Sequence, residues 1–372
     1  MNNKKPREIY YDININNFQS TGIDSLPLRF SETRNNPIIK NAGDYSLSIV
    51  RFQLDTYSLP TFIADIEPYP NVDANKMIET VTMEFDDHGI IYSTQQLNLT
   101  WIPTNQHIPK PNAPVPLQDS TTEYYYGNSF KHYCDILNNA FNQLTTELIS
   151  LVPGTIIDNL LAPKMIWNNQ NLTGELLLQN EFYNSINTSR VNVYFNRPLY
   201  AQFTSLPALK NYNGLLGKIY HIYADDDYAS KYIDLDLNND GLPIRFIKTS
   251  QEYSTISNWS AVSSIVFTTN TLPIFGTQLS EPLVYSNGKS IMTTIPQNFA
   301  QIVSDMSTND LCYKPNLLYV PSAEYRFIDM FGDNNISTVD INVYWKDVKG
   351  NLIPFYLQSG ASASIKILFK LK

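Results

Sequence analysis

Val339-Asp-Ile-Asn-Val-Tyr-Trp-Lys346 opens the closing segment of the chain, and its reading decides the fold. Val339, Ile341, Val343 and Trp345 alternate with Asp340, Asn342, Tyr344 and Lys346, so an extended segment buries one face and wets the other. Asp347-Val-Lys-Gly-Asn351 breaks the alternation and offers Gly350 for a turn with positive φ. Leu352 to Leu357 is mostly apolar again, and Gln358-Ser-Gly360 signals another turn. Ile365, Ile367, Phe369 and Leu371 then alternate with Ser364, Lys366 and Lys370. The pattern predicts three consecutive antiparallel strands running to Lys372. A meander of that size is only marginally stable alone, so it requires partner strands from earlier in the chain.

Working outward, the same period recurs in short pieces. Ile9, Tyr11, Ile13 and Ile15 alternate within an Asn-, Ser- and Pro-punctuated stretch, residues 1–44, that reads as an N-terminal arm. Tyr45 to Leu54 is apolar on both faces, as in a strand covered on both sides, and Leu59 to Ile66 is a second strand with Pro60 at its entry. Glu79 to Phe85 and Ile90 to Trp101 form a hairpin around Asp86-Asp-His-Gly89. Residues 103–116 hold five prolines and make a surface connection. One main helix follows, at about 129–150: Ser129 is a suitable N-cap, and Phe130, Tyr133, Leu137, Ala140, Phe141, Leu144 and Leu148 make one stripe. Its polar side carries Asn and Gln rather than Lys and Arg, so the stripe packs on a sheet rather than on a membrane. Further strands are expected at 165–167, 172–178, 191–195, 231–237, 242–247, 261–267 and 317–320, with a short helical piece at 197–205. Many short strands, turn signals and a single major helix give an elaborated all-β sandwich.

With 372 residues the chain has room for one large β domain or two ordinary ones. Only 16% of its residues are charged, against ~25% in a typical domain, while Asn and Tyr are abundant. Either a surface covered by partners or an AT-rich genome produces that bias. A net charge of -9 argues against a nucleic-acid-binding domain; Lys4, Lys5 and Arg7 are the local exception. Cys134 and Cys312 make no disulfide framework, and Cys134 falls on the helix as a packed thiol. No basic-then-apolar leader and no apolar run of ~18 residues is present, which predicts a reducing, cytosol-like compartment. The sequons at Asn98, Asn171, Asn187, Asn258 and Asn335 are then expected to carry no glycan.

Catalytic and metal motifs are fragmentary. Asp236-Leu-Asn-Asn-Asp-Gly241 resembles the first half of a calcium loop, but Ile247 stands where the twelfth-position carboxylate is required, and a plain hairpin explains the same residues. Gly288-Lys-Ser290 is the tail of a phosphate loop with Leu283 in place of its first Gly, and Gly214-Leu-Leu-Gly-Lys218 has the wrong spacing. Asp225-Asp-Asp227 reads as a solvated acidic loop. His88, His107, His132 and His221 are scattered, and no nucleophile elbow occurs. Tyr124-Tyr-Tyr126 offers rings for stacking on sugars or, by default, for the core. No catalytic, cofactor-binding or metal residue is assigned, and no cofactor or small-molecule substrate is expected.

Three stretches taken together resemble one family: Ser48-Ile-Val-Arg-Phe-Gln-Leu54 with Leu59-Pro-Thr-Phe-Ile63; Tyr124-Tyr-Tyr126 with Ser129-Phe-Lys-His-Tyr133 and Asn138-Asn-Ala-Phe141; and Asp340 to Asp347 with Gly350-Asn-Leu-Ile-Pro354 and Ser364 to Lys370. They resemble the penton (vertex) capsid proteins of virophages and polinton-like viruses, the Sputnik-type virophages most closely. The resemblance implies a structural protein with a single jelly roll; the strand pattern assigns it residues 45–372, with an insertion expected somewhere within 103–260. It implies homopentamers at the fivefold vertices of an icosahedral virion, flanked by trimers of a double-jelly-roll major capsid protein, and a product made in the host cytoplasm. The family offers no catalytic residues, so no enzyme is expected; the basic arm could touch packaged DNA. The alternative is a carbohydrate-binding jelly-roll spike, and a glycan- or ester-cleaving jelly roll ranks third.

Overall fold

A computed structural model of the protein describes residues 5–18, 25–68, 72–114, 118–154, 156–211, 217–224, 231–237, 243–275, 283–286, 289–292, 301–307, 316–319 and 326–372. The chain forms two compact units, Met1–Pro60 with Ser260–Lys372, and Thr61–Trp259.

The first unit is a sandwich of two antiparallel sheets. One sheet runs Glu8–Asn16, Ser362–Leu371, Tyr45–Asp55, Asn316–Tyr319, with Ile328–Asp329 also paired to Tyr45–Asp55. The other runs Gln301–Ser307, Val262–Thr269, Thr338–Asp347, Leu352–Pro354, with Arg29–Thr33 also paired to Thr338–Asp347. The alternation places its apolar sets inward as expected: Val339, Ile341, Val343 and Trp345 are buried from one sheet, Ile365, Ile367 and Phe369 from the other. Phe52 and Phe267 meet across the core with ring centroids 4.9 Å apart. Each such side chain contributes about 1.5–3 kcal/mol on burial. The unit is a single jelly-roll sandwich with long connections.

The expected run of three consecutive paired strands is corrected here. Thr338–Asp347 does turn back onto Leu352–Pro354, through a loop in which Asp347 accepts from the amides of Lys349 (2.9 Å) and Asn351 (2.8 Å) and Gly350 has φ 91°. The chain then breaks at Phe355, Tyr356–Gln358 pairs with Ser25–Pro27, and Ser362–Leu371 crosses to the opposite sheet. There it lies between Glu8–Asn16 and Tyr45–Asp55, with Ile365 opposite Ile13 and Phe52. Alternation specifies which face of a strand is buried and carries nothing about its neighbour. Within the stretch read as an arm, Glu8–Asn16 is a sheet strand and Arg29–Thr33 another.

The second unit joins a mixed-length sheet, a second sheet and the helix. The larger sheet runs Ala208–Lys210, Tyr220–Ile222, Ser189–Phe195, Lys76–Asp87, Ile90–Ser93, with Leu97–Thr100 also on Lys76–Asp87; the smaller runs Lys164–Asn168, Thr173–Gln179, Pro243–Ser250, Lys231–Leu237. The helix spans Phe130–Leu151, and all seven stripe residues are buried, in one core with Val81, Met83, Phe85, Leu176 and Leu178. Ser129 has extended backbone, but its carbonyl rather than its hydroxyl serves the first turn, accepting from the His132 amide at 3.1 Å. Arg197–Gln202 is the short helix, capped by Asn196 Oδ1 on the Leu199 amide (3.1 Å). His88 (φ 51°) and Gly89 (φ 93°) make the two-residue hairpin turn. The strand expected from Leu59 to Ile66 shrinks to Phe62–Ile63, paired with Tyr126–Gly127. The Phe62 ring lies so close over Gly127 that a Cβ there would sit 2.2 Å from it, so only glycine fits.

Trp259 ends this unit and is its aromatic hub. Its ring makes edge contacts with Phe62 (5.7 Å), Phe130 (5.3 Å), Tyr133 (4.7 Å), Phe203 (5.3 Å) and Trp167 (6.0 Å), and its Nε1 donates to the Gln202 carbonyl at 3.0 Å. The first and last aromatic residues of the unit, Phe62 and Trp259, are thus clasped together.

Candidate functional site

One constellation has the residue types of a hydrolase. Ser189 Oγ lies 3.0 Å from His88 Nδ1, which lies 2.9 Å from Asp87 Oδ1. A catalytic relay places the nucleophile on one imidazole nitrogen and the carboxylate on the other. Here both partners meet the same nitrogen, and Ser189 Oγ also donates directly to Asp87 Oδ1 at 2.9 Å. His88 is a turn residue with 71% of its side chain exposed, so no cleft excludes water. The hydrogen bonds from His88 and Ser189 hold the Asp87 carboxyl below its ordinary value, which stabilises the hairpin end rather than activating a hydroxyl.

The remaining candidates disperse. Cys134 is buried in the helix, where burial and then the nearby Asp135 push its thiol up to about 12, leaving it inert. Burial, and then the neighbouring Arg190, lower His221 to about 4, while Glu84 opposes them; its ring lies 5.1 Å from that of Tyr194. His132 Nε2 meets the Ile102 carbonyl at 2.7 Å, and His107 is exposed. Lys218, the lysine of the second phosphate-loop fragment, is ion-paired with Glu84. Lys289 and Ser290 open a strand, Lys289–Met292, that pairs back onto Leu283–Ser286, so the helix a phosphate loop needs is replaced by a hairpin. Asp236 sits in Lys231–Leu237 opposite Ile244, while Asn238 to Gly241, Asp225 to Asp227, Gly288 and Cys312 fall outside the described residues. Among the described residues no three His, Cys, Asp or Glu side chains group to hold a metal, and no helix is long and apolar enough to cross a membrane. Tyr124, Tyr125 and Tyr126 are buried, and their hydroxyls donate to Asn75 Oδ1, the Ala74 carbonyl and the Ser120 carbonyl.

What the sandwich unit does present is surface. The outward side of its first sheet carries the row Asp12, Lys366, Arg51, in which Asp12 is ion-paired with both cations (3.3 Å and 3.9 Å), followed by the uncharged Asn14, Ser364 and Gln53. Phe18, Tyr57 and Leu318 stand exposed on the same unit. Phe275 (72% exposed) and Phe331 (41%) pair their rings at 4.8 Å. That pair is rigidly mounted: the Phe331 amide donates to the Pro273 carbonyl (3.0 Å), and Ile274 bridges Met330. Beneath it, Asp340 accepts from Thr269 Oγ1 (2.5 Å), Thr271 Oγ1 (2.5 Å), and the Asn270 (2.8 Å) and Thr271 (3.0 Å) amides. Sequence alternation puts Asp340 on the wet face; it is buried. Its four donors sit seventy positions upstream, and no local signal announces them.

A family model, the Sputnik minor capsid protein V18/19, matches residues 9–371. The chain belongs to that family. Structural protein V19 of Sputnik virophage is 29% identical over 206 residues, 52% of this chain and 87% of V19. The uncharacterized protein V18 of the same virophage is 33% identical over 153 residues, 39% of this chain and 89% of V18. A chain in the cryo-EM structure of the Sputnik virophage aligns over 99% of both chains with a TM-score of 0.83 and 28% identity. The mavirus penton protein aligns over 98% of this chain and 99% of its own with a TM-score of 0.62; at 14% identity it speaks to the fold alone. As a V18/19-type minor capsid protein, the molecule is a structural component of a virion, assembled with other capsid proteins.

Proposed function

We propose that the protein forms homopentamers that plug the fivefold vertices of an icosahedral shell, with trimers of a double-jelly-roll major capsid protein around them. The observation that carries this reading is the single jelly-roll unit, within a chain that follows a penton protein over nearly its whole length. Five copies related by rotation make head-to-tail contacts that close into a ring. The low charge of the chain and the mounted apolar residues of its sandwich suit such contacts. In this reading the unit Thr61–Trp259 is the embellishment carried by the jelly roll. The protein is made in the host cytoplasm and catalyses no reaction; the shared nitrogen in the Ser189–His88–Asp87 group supports that view.

The basic N-terminus is the candidate contact for packaged DNA. Lys5 is ion-paired with Asp44, and the Arg7 carbonyl accepts from the Leu371 amide, so little of this segment is free beyond residue 7. Deleting residues 2–6 should weaken genome retention in particles if that contact exists, and should change nothing if it does not. The pentamer is tested by native mass spectrometry of the purified protein: a fivefold multiple of the chain mass is expected, and a monomer at high concentration overturns the reading.

A further inference from the structure

The edge of a sheet is a row of unpaired backbone donors and acceptors, and folded proteins blunt it with short strands, prolines, bulges or lysines. Most outer strands of the sandwich are blunted in this way. Asn316–Tyr319 has four residues and Ile328–Asp329 two, Leu352–Pro354 ends in proline after three, and the register of Gln301–Ser307 slips opposite Phe267 and Thr268. Glu8–Asn16 has none of these devices. It is nine residues long, contains no Pro, Lys or Arg, and pairs with Ser362–Leu371 without a slip. Among the described residues no strand pairs with its other side. Its acidic side chains have partners within the sheet: Asp12 is ion-paired with Lys366 and Arg51, and Glu8 accepts from the Tyr10 hydroxyl at 3.0 Å.

Opposed residues of antiparallel strands alternate between pairs that exchange backbone hydrogen bonds and pairs that do not. The Leu371 amide donates to the Arg7 carbonyl (2.8 Å) and the Asn17 amide to the Ala361 carbonyl (3.0 Å), so the odd-numbered residues from Arg7 to Asn17 bond into the sheet. The amides and carbonyls of Glu8, Tyr10, Asp12, Asn14 and Asn16 therefore point out of it, and all five residues are exposed. Carried across the sheet, the same alternation bonds Ser364 to Gln53 and turns the backbone of Leu318, opposite Gln53, out of the far edge. Leu318 shares its outward row with Asn14, Ser364 and Gln53 and is 64% exposed; Tyr10, on the same face at the near edge, is 55% exposed. Glu8–Asn16 and Asn316–Tyr319 are the first and fourth members of an antiparallel sheet, so they run in opposite directions. A second copy related by rotation about an axis along the strands thus brings one edge to the other in the antiparallel sense, the more stable one.

We propose that Glu8–Asn16 takes the strand Asn316–Tyr319 of a second copy onto its free edge, with Tyr10 exchanging backbone bonds with the partner's Leu318; the inference rests on the homopentamer reading and names one seam of that ring. The pairing sets two exposed apolar side chains against each other, the cross-strand contact that stabilises a sheet. The experiment follows the full-length protein by native mass spectrometry over a concentration series. Tyr10→Pro removes an outward donor at a position where an edge strand tolerates proline, and Leu318→Lys places a charge on the far edge. Each should raise the concentration needed for half-assembly about tenfold while circular dichroism shows the sandwich intact, and Tyr10→Phe should assemble like the wild type. In the assembled wild-type protein, hydrogen exchange at the Tyr10 and Leu318 amides should slow relative to the dilute monomer. If Tyr10→Pro disturbs folding, Leu318→Lys and the exchange measurement carry the test. A wild-type protein that stays monomeric overturns the pentamer reading and this seam together. A fivefold wild-type mass with both variants equally assembled, or with both amides exchanging freely in the ring, overturns the seam alone. So does a ring broken by Tyr10→Pro and untouched by Leu318→Lys, because the edge then meets a different segment.

Discussion

The two units are held together in opposite ways. In the sandwich, neighbours in a sheet come from opposite ends of the chain: Glu8–Asn16 pairs with Ser362–Leu371, and Arg29–Thr33 with Thr338–Asp347. In Thr61–Trp259, a helix supplies the spine and one tryptophan gathers five rings. Long-range pairing must overcome loop-closure entropy before any contact rewards it, whereas a helix stripe forms locally and then packs. The sandwich therefore waits for both ends of the chain, whereas Thr61–Trp259 makes its own long pairings, such as Ser189–Phe195 on Lys76–Asp87, within one continuous stretch that also holds a locally formed helix.

Removing residues 362–372 should break this comparison most severely. The deletion takes out a strand paired on both sides and should abolish the soluble, cooperatively melting sandwich, as followed by circular dichroism. Trp259→Ala is the matching insult to the other unit. It should cost about 3–5 kcal/mol, lowering the denaturant midpoint of a transition that near-ultraviolet signals assign to Thr61–Trp259 while the sandwich transition stays in place. A single shared transition would show that the two units unfold together.

Acid should sharpen the contrast next. Burial pushes the Asp340 carboxyl up, but hydrogen bonds from Thr269, Thr271 and the Asn270 and Thr271 amides outweigh it and leave the group below its ordinary 3.8. A depressed folded value means stability that is present above pH 3.8 and is lost as pH falls through the folded value. Asp340→Asn should destabilise the sandwich at neutral pH by about 1.5–3 kcal/mol and flatten the acid limb of its stability curve, measured by urea titration across pH. In a Cys312→Ser background, Cys134 should react with a thiol reagent only as fast as the inserted unit opens, since its thiol is buried and protonated. The smallest effect is expected at the hairpin tip. His88→Asn supplies the Asn-Gly pair that suits two positive φ angles and should stabilise by a few tenths of a kcal/mol, even though the bond to Asp87 is lost.

Strand faces and the helix stripe are legible in the sequence because burial enforces a period on residues that are neighbours in the chain. Val339 to Trp345 and Phe130 to Leu148 illustrate both cases. Pairing is not legible in the same way: nothing near Ile365 states that Ile13 and Phe52 flank it. Asp340 looks like any solvated carboxylate until Thr269 and Thr271 arrive from another strand. Phe275 and Phe331 lie outside periodic segments, so their joint exposure emerges only when the Ile274–Met330 bridge brings them together. Tyr124 to Tyr126 show the converse, a run that reads equally well as a platform or a core and is settled by the depth at which the helix packs.

Ser362–Leu371 leaves the ribosome after every other strand described, yet it occupies the interior of a sheet whose outer member, Glu8–Asn16, is made first. A growing polypeptide must hold that gap open through the whole of its synthesis, while Thr61–Trp259 is free to mature in the meantime. Prematurely terminated copies would retain a well-formed ornament on an unfinished wall. Copies truncated before Ser362 would lack the strand that joins Glu8–Asn16 to Tyr45–Asp55.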